Sequence, residues 1–464
     1  MIVDRYEPVN LSELVPKLRL EMEPQLAKLD QLLDDDVLFA GIKEDLARRH
    51  PHSTTRGRHS TPVEVILRML VVRRLYDWSF EATERNVSDS LVLRQFCRLY
   101  LEAAPDDTTL IRWANLIGPK TLESLNERAV ELALERKVTR GRKLRTDATV
   151  VETNVSYPTD SALLEDGVRV LGRLMGKAKQ ILGGSGERFR NRTRSAKRLA
   201  RSIAQGTRRG GGGGEAKEAS KEAYKRLIGV ARASLKQASK VRQMFRESKV
   251  ARPPGGRLLA EEIAGLEGLV EQVVNQTERR VLEGESVEAG EKLVSLFEEH
   301  TAIIARGKAG KKVEFGRKVW LEEVEGGIVS GYRVLEGNPS DEKQLLASLE
   351  NHRRLFGRPP WLVAADRGVY SPQNEEAAWR MGVKRVALPK KGAKNEQRRR
   401  HERQGWFRRA GRFRAGIEGR ISVMKRRGFL GRCRDKSEEG FGRWVGWGVL
   451  TSNLHAIARV EGAR

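Results

Sequence analysis

Three carboxylates in this 464-residue chain, Asp147, Asp366 and Glu418, have the type and setting to hold metal ions against a phosphodiester. Cleaving such a bond, or joining a 3′-hydroxyl to it, needs an activated oxygen nucleophile and a stabilised leaving oxygen. Two Mg²⁺ ions about 4 Å apart meet both needs. Mg²⁺ takes hard oxygen ligands and keeps several waters, so a few converging carboxylates suffice. Asp147 lies inside the β-rich run Leu144-Arg145-Thr146-Asp147-Ala148-Thr149-Val150-Val151, and Asp366 follows the apolar run Trp361-Leu362-Val363-Ala364-Ala365. Glu418 shares a helical face with two cations: at about 100° per residue Arg414, Glu418 and Lys425 fall near 0°, 40° and 20°. A cation has no lone pair for a metal, so Arg414 and Lys425 are expected to fix phosphate instead. Each residue also fits a plainer role. Asp366-Arg367-Gly368 makes a turn, Asp147 a solvent-facing strand residue, and Arg414–Glu418 an ordinary i,i+4 ion pair that orients the glutamate. Their order on successive elements favours the joint reading. Glu152 and Asp160 compete with Asp147, but Glu152 falls one step past the strand and Asp160 follows a proline turn, so Asp147 is preferred.

The elements that must position these groups follow from periodicity and turn residues. Strands are expected over residues 144–151, 313–324, 328–335, 361–365 and 383–388, with Glu325-Gly326-Gly327 as the hairpin turn between the second and third. Helices are expected over 340–356, from Pro372 onward, and over 412–427. The order β-β-β-α-β-α-β-α is that of a ribonuclease H-like mixed α/β sheet, where the first and fourth strands are neighbours and Asp147 and Asp366 can converge. Residues from about 165 to 305 read as charged helices inserted after the first strand, with the run Gly210–Gly214 as a flexible link. Residues 1–140 read as all-helical. Pro62 starts a helix with an apolar stripe (Val65, Ile66, Met69, Leu70, Val72), Ser79 and Asp106-Asp107-Thr108 supply caps, and Pro119 opens a further helix. Four or five compact helices with Arg94, Arg98 and Arg112 exposed suit a helix-turn-helix-like DNA-binding domain, with a plain helical bundle as the alternative. The expected domains are thus 1–140, helical and DNA-binding; 141–164 with 306–464, the ribonuclease H-like catalytic domain; and 165–305, the helical insertion.

Charge points to the same partner. Lys and Arg total 88 against 62 Asp and Glu, a net +26 that predicts salt-sensitive nucleic-acid binding. Residues 384–434 hold 19 Lys and Arg against three acids, whereas 261–299 is acid-rich, so the fields are segregated rather than uniform. In the basic stretch Trp406, Phe407 and Phe413 alternate with Arg403, Arg408, Arg409, Arg412 and Arg414. That pattern suits either base stacking on a DNA-facing surface or aromatics packed under a basic helix. Two cysteines, Cys97 and Cys433, exclude a disulfide framework and a four-cysteine zinc site. A mean hydropathy of −0.54, no long apolar run and an N-terminus without signal-peptide order predict a cytosolic chain with no membrane partner.

In its motifs the chain resembles bacterial insertion-sequence transposases of the DDE class, in the broad group related to insertion sequence five. Residues 61–113 are similar to that group's N-terminal transposase domain through Pro62-x-x-x-Ile66-Leu67-Arg68-Met69-Leu70, Asp89-Ser90-Leu91 and Asp107-x-Thr109-Leu110-x-Arg112. Thr146-Asp147 through Tyr157-Pro158-Thr159-Asp160, Gly307-Lys308 with Glu314-Phe315-Gly316, and Ala365-Asp366-Arg367-Gly368-Val369-Tyr370 resemble its catalytic domain. Arg414, Glu418 and Lys425 match its Tyr-x2-Arg-x3-Glu-x6-Lys signature, with Gly411 in place of the tyrosine. The resemblance implies metal-dependent cleavage of DNA at element ends and transfer of 3′-hydroxyls into target DNA. It further implies Mg²⁺ or Mn²⁺ on Asp147, Asp366 and Glu418, DNA contacts from Arg112, Arg408, Arg409, Arg414 and Lys425, a homodimer on DNA, and a place beside the bacterial nucleoid. The rival expectations are a ribonuclease H-like nuclease or resolvase that cuts without joining, and an inactive DNA-binding descendant of a transposase.

Overall fold

Side-chain caps written into the sequence start four of the eight helices ahead of the sheet. The computed structural model describes the chain except residues 15–20, 51, 53–54, 183–188, 209–213, 248–254, 309–310 and 464. The first helices are α1 (Leu11–Leu14), α2 (Pro24–Leu32), α3 (Asp36–Ala47) and α4 (Val63–Leu75). They are followed by α5 (Phe80–Asp89), α6 (Leu91–Phe96), α7 (Asp107–Ala114) and α8 (Pro119–Glu135). Asp35, Ser79, Ser90 and Asp106 each accept a hydrogen bond from a main-chain N–H two or three residues on, satisfying donors that a helix start leaves unpaired.

Two compact units divide the chain: residues 1–154 with 317–464, and residues 155–316. In the first, β1 (Lys143–Glu152), β3 (Lys311–Val324, from Arg317 onward), β4 (Ile328–Val334), β5 (Leu362–Ala364) and β6 (Arg385–Ala387) lie in the order β4-β3-β1-β5-β6. β1 pairs parallel with β5 and β5 parallel with β6, while β3 and β4 form an antiparallel hairpin. The hairpin turn is the expected one, with Gly326 at φ 81° and Gly327 at φ 75°, a backbone region that residues with a Cβ avoid. The remaining helices of this unit are α13 (Leu345–Phe356), α14 (Pro372–Arg380), α15 (Glu396–Arg403), α16 (Gly405–Arg426) and α17 (Ser437–Gly462).

Strand residues alternate between two buried layers. Leu144, Val363 and Val386 join a core shared with the N-terminal helices and α17, whereas Leu362, Ala364 and Ala387 pack under Phe407 and Ala410 of α16. Burial of the central strands on both faces is what a sheet with helices on each side requires.

The second unit has its own core. α9 (Asp160–Ile181), α10 (Thr193–Arg208), α11 (Gly214–Glu247) and α12 (Gly256–Thr277) pack around Leu164, Leu171, Leu227, Ala231, Ile263 and Val270.

Several sequence expectations are corrected. The stretch read as helical to residue 305 leaves the helix at Leu282, and Ala302–Lys308 forms a strand, β2, paired with the start of β3. Charge had masked the β-branched Ile303-Ile304 pair. α4 is not striped: Val63 to Arg74 are buried all round, including Glu64, Arg68, Arg73 and Arg74. Arg94 and Arg98 do not face solvent freely. Arg94 donates to the main-chain carbonyls of Tyr100 and Glu102, and Arg98 pairs with Asp30 of α2 and Asp34 of the loop after it. Gly210–Gly213 lie outside the described residues, and Gly214 begins α11.

Candidate functional site

Register places the first two carboxylates side by side. β1 and β5 pair Lys143 with Leu362, Leu144 with Val363 and Arg145 with Ala364. Two residues further along each chain stand Asp147 and Asp366, past the C-terminal end of β5, where parallel sheets gather their sites. α16 crosses the face of this strand pair and brings the third.

Arg414 of α16 meets all three. Its guanidinium lies 3.6 Å from Asp147 Oδ2, 3.8 Å from Asp366 Oδ1 and 2.8 Å from Glu418 Oε1. Asp147 is the sheltered member, with its side chain 20% exposed against 54% for Asp366 and 61% for Glu418. Burial pushes the Asp147 carboxyl above the usual carboxylate range. The Ala148 N–H, which donates to it, and the Arg414 guanidinium pull it down, while Asp366 and Asp341 push it up. The Arg414 Nε is buried and has no hydrogen-bond partner among the described residues, while its Nη1 donates to Glu418.

Beneath the cluster a second ion pair fixes α16 on the sheet. Arg145 donates to both oxygens of Glu323, at 2.8 and 2.6 Å, and to the Phe413 carbonyl at 2.6 Å. Burial raises the Glu323 carboxyl and the Arg145 pair opposes it. The approach is possible because residue 416 is glycine: a Cβ there would collide with the Arg145 Nη1. Lys425 donates to the Val150 carbonyl at 2.8 Å, pinning the far end of α16 to β1.

The structure therefore brings together Asp147, Asp366, Glu418 and Arg414. Arg408 and Arg409 are exposed on earlier turns of α16, and Arg112 is exposed on α7, where it bonds Thr108 and Thr109. Phe407 is buried under the sheet with Trp406 and Phe413 packed around it, which is the packing alternative for the aromatics. The rival Asp160 is a buried anchor of the second unit, held by Arg280 at 2.6 Å and Gln276 at 3.2 Å. Sequence reasoning passed over Arg145, Glu323, Gly416 and Asp341. Arg145, two residues before Asp147 and so on the same strand face, was the available signal.

As metal ligands the three carboxylates fit in chemistry, being hard oxygen donors on adjacent elements, one of them sheltered. They do not fit in spacing. Among the described residues no three His, Cys, Asp or Glu side chains close around a common point, and here Arg414 holds the middle.

A family model described as "Transposase domain (DUF772)" matches residues 10–116, which span α1 to α7 and under a quarter of the chain. A protein of Rhizobium meliloti described as "Uncharacterized protein ORF8 in nfe locus" is 29% identical over 123 residues, 25% of this chain. The match spans 59% of that relative's length. No solved structure matches the chain. Residues 10–116 are thus similar to a transposase domain. Among the described residues no helix is long and apolar enough to cross a membrane.

Proposed function

We propose that the chain is a DDE-class transposase that cleaves DNA at transposon ends and transfers the freed 3′-hydroxyls into target DNA at Asp147, Asp366 and Glu418. One observation carries the reading: three carboxylates, one within β1, one just past the end of the adjacent parallel β5 and one on a crossing helix, converge on a single guanidinium. The strand order β4-β3-β1-β5-β6 supports a ribonuclease H-like sheet, and the transposase-domain match over residues 10–116 supports DNA as substrate. The reading requires a divalent cation, Mg²⁺ or Mn²⁺, on the three carboxylates, and Arg414 has to give up its central place to admit it.

The chain's own residues divide the work. Asp147 and Asp366 present oxygens from the sheet, and Glu418 presents its carboxylate from α16. The Arg145–Glu323 pair and Lys425 hold α16 in register, so that Glu418 stays over the strand ends. Exposed Arg408, Arg409 and Arg112 offer contacts to DNA, and a homodimer would serve two transposon ends at once. Asp147→Asn, Asp366→Asn and Glu418→Gln are each expected to abolish nicking of a duplex carrying the transposon end while leaving gel-shift affinity nearly unchanged. An amide keeps the size but loses the charge a cation needs. A variant that nicks at the wild-type rate removes that residue from the site, and a strand-transfer assay separates this reading from a nuclease that only cuts.

A further inference from the structure

We infer that the exposed face of α10, carrying Arg194, Lys197, Arg198 and Arg201, is a sequence-independent binding surface for the phosphate backbone of duplex DNA; the choice of DNA rests on the function proposed above. At about 100° per residue these four side chains span an arc of about 100°, and Ala196, Leu199, Ala200 and Ile203 span the opposite arc. The structure follows that division: all four cations are exposed, while Ala196 and Ile203 are buried in the helical core with Leu199 and Ala200 against it.

Two features separate this face from an ordinary solvated one. The first is that no counter-charge meets it among the described residues. Residues 189–208 contain no Asp or Glu, and no described carboxylate lies within ion-pair distance of the four. Elsewhere in the same unit several arginines are paired: Arg169 with Asp166, Arg226 with Glu222, Arg232 with Glu278, Arg242 with Glu267, Arg280 with Asp160. The second is self-repulsion. Positions 194, 197, 198 and 201 form four like-charge pairs at i,i+3 or i,i+4, each of which weakens the helix. A polyanion laid along the face relieves all four at once.

Dimensions favour a duplex. From Arg194 to Arg201 the helix rises about 10 Å, over which duplex DNA presents about six phosphate charges at one per about 1.7 Å. Four flexible cations over that length suit backbone contact and lack the fixed bidentate geometry of base reading. An anionic membrane fits less well, because the apolar side of α10 is already buried in its own core and has nothing left to insert.

The test uses the full chain with Arg194→Gln, Lys197→Gln, Arg198→Gln and Arg201→Gln combined, and in parallel the three arginines changed to lysine. Affinity for a random-sequence duplex is measured by fluorescence anisotropy over a range of KCl concentrations, with thermal melting to show that both variants are folded. The glutamine variant is expected to bind about tenfold or more weakly at moderate salt. Its log–log salt slope should shrink by up to about 0.9 for each lost contact, equally on random and transposon-end DNA. The lysine variant should keep the wild-type slope. An unchanged slope and affinity in the glutamine variant overturns this inference alone, whereas a wild-type chain with no duplex affinity overturns the proposed function as well. Phosphatidylserine vesicles that bind the wild type and lose the variant as strongly as DNA does would also overturn it, in favour of a lipid surface.

Discussion

Replacing Arg414 by glutamine keeps much of the side chain's length and removes its charge, and the effect on cation binding follows from three distances. The guanidinium is 3.6 Å from Asp147, 3.8 Å from Asp366 and 2.8 Å from Glu418. Opposite unit charges about 3.6 Å apart attract by about 1 kcal/mol in bulk water and by about 5 kcal/mol at an effective dielectric of about 20. Asp366 and Glu418 are more than half exposed, so their pairs lie near the water limit, while sheltered Asp147 lies between the two. Loosening all three to admit a cation costs at least about 1.5 kcal/mol, and each 1.4 kcal/mol is about tenfold in affinity. In the absence of DNA, Arg414→Gln is therefore expected to bind Mn²⁺ at least about tenfold more tightly than the wild type. Isothermal titration of the full chain at alkaline pH measures this, with Asp147→Asn titrated alongside to show that the heat comes from this cluster. Arg414→Lys should fall between, since an ammonium is a point charge that cannot span three carboxylates as a guanidinium does. The variant carries a pH signature too. Arg414 lowers an Asp147 carboxyl already raised by burial, so removing it lifts that carboxyl further, and the acid limb of nicking moves to higher pH. Mn²⁺ binding no tighter than wild type in Arg414→Gln would refute the place-holding argument and leave Arg414 as a phosphate contact or an orienting partner of Glu418.

The glycines of α16 divide by what surrounds them. Gly411 has nothing within 4 Å of an added Cβ, so Gly411→Ala should raise stability by about 0.5–1 kcal/mol in chemical denaturation. Gly416→Ala should instead displace Arg145 and lower the nicking rate with duplex affinity unchanged; wild-type nicking there would show that the Arg145–Glu323 brace is dispensable. Arg68, fully buried against Glu64, Asp30 and Asp34, predicts that Arg68→Met costs about 1–3 kcal/mol, less than breaking an isolated buried pair because Arg98 still pairs with the same carboxylates. A loss below about 1 kcal/mol would mean that water reaches those acids. His352 is buried against the Gly141 carbonyl, and burial holds its pKa down to about 4. A depressed base favours folding above its ordinary value near 6.5 and loses that contribution as pH falls through 4, so about 3 kcal/mol should disappear over that window. In His352→Gln the acid-side slope of melting temperature should flatten.

The N-terminal helix starts were legible because a cap is a contact between near neighbours: Ser79 with Ala82, Asp106 with Thr109. The Gly326-Gly327 turn was legible for the same local reason, as were the strands that meet there. The helical face shared by Arg414, Glu418 and Lys425 follows from the 100° step alone. Strand α/β alternation, the excess of cations and the three carboxylates thus belong to the sequence by itself.

What the sequence could not determine depends on which distant residues meet. α17 went unread because it is buried nearly all round from Gly440 to Ala458, so it carries no polar face from which a helical period could be recognised. α4 looked amphipathic because its charged residues are polar in type. They are buried because Asp30, Asp34 and Asp435, the last of them 362 residues from Arg73, reach them in space. Likewise the brace under the site joins Arg145 to Glu323 across 178 residues, and Arg414 became the hub of the carboxylates only when β1, β5 and α16 were stacked. Periodicity and capping act over one turn of chain, whereas charge pairing and burial act over ångströms in space. The first set could therefore name the candidate residues, and only the second could decide which cation stands among them.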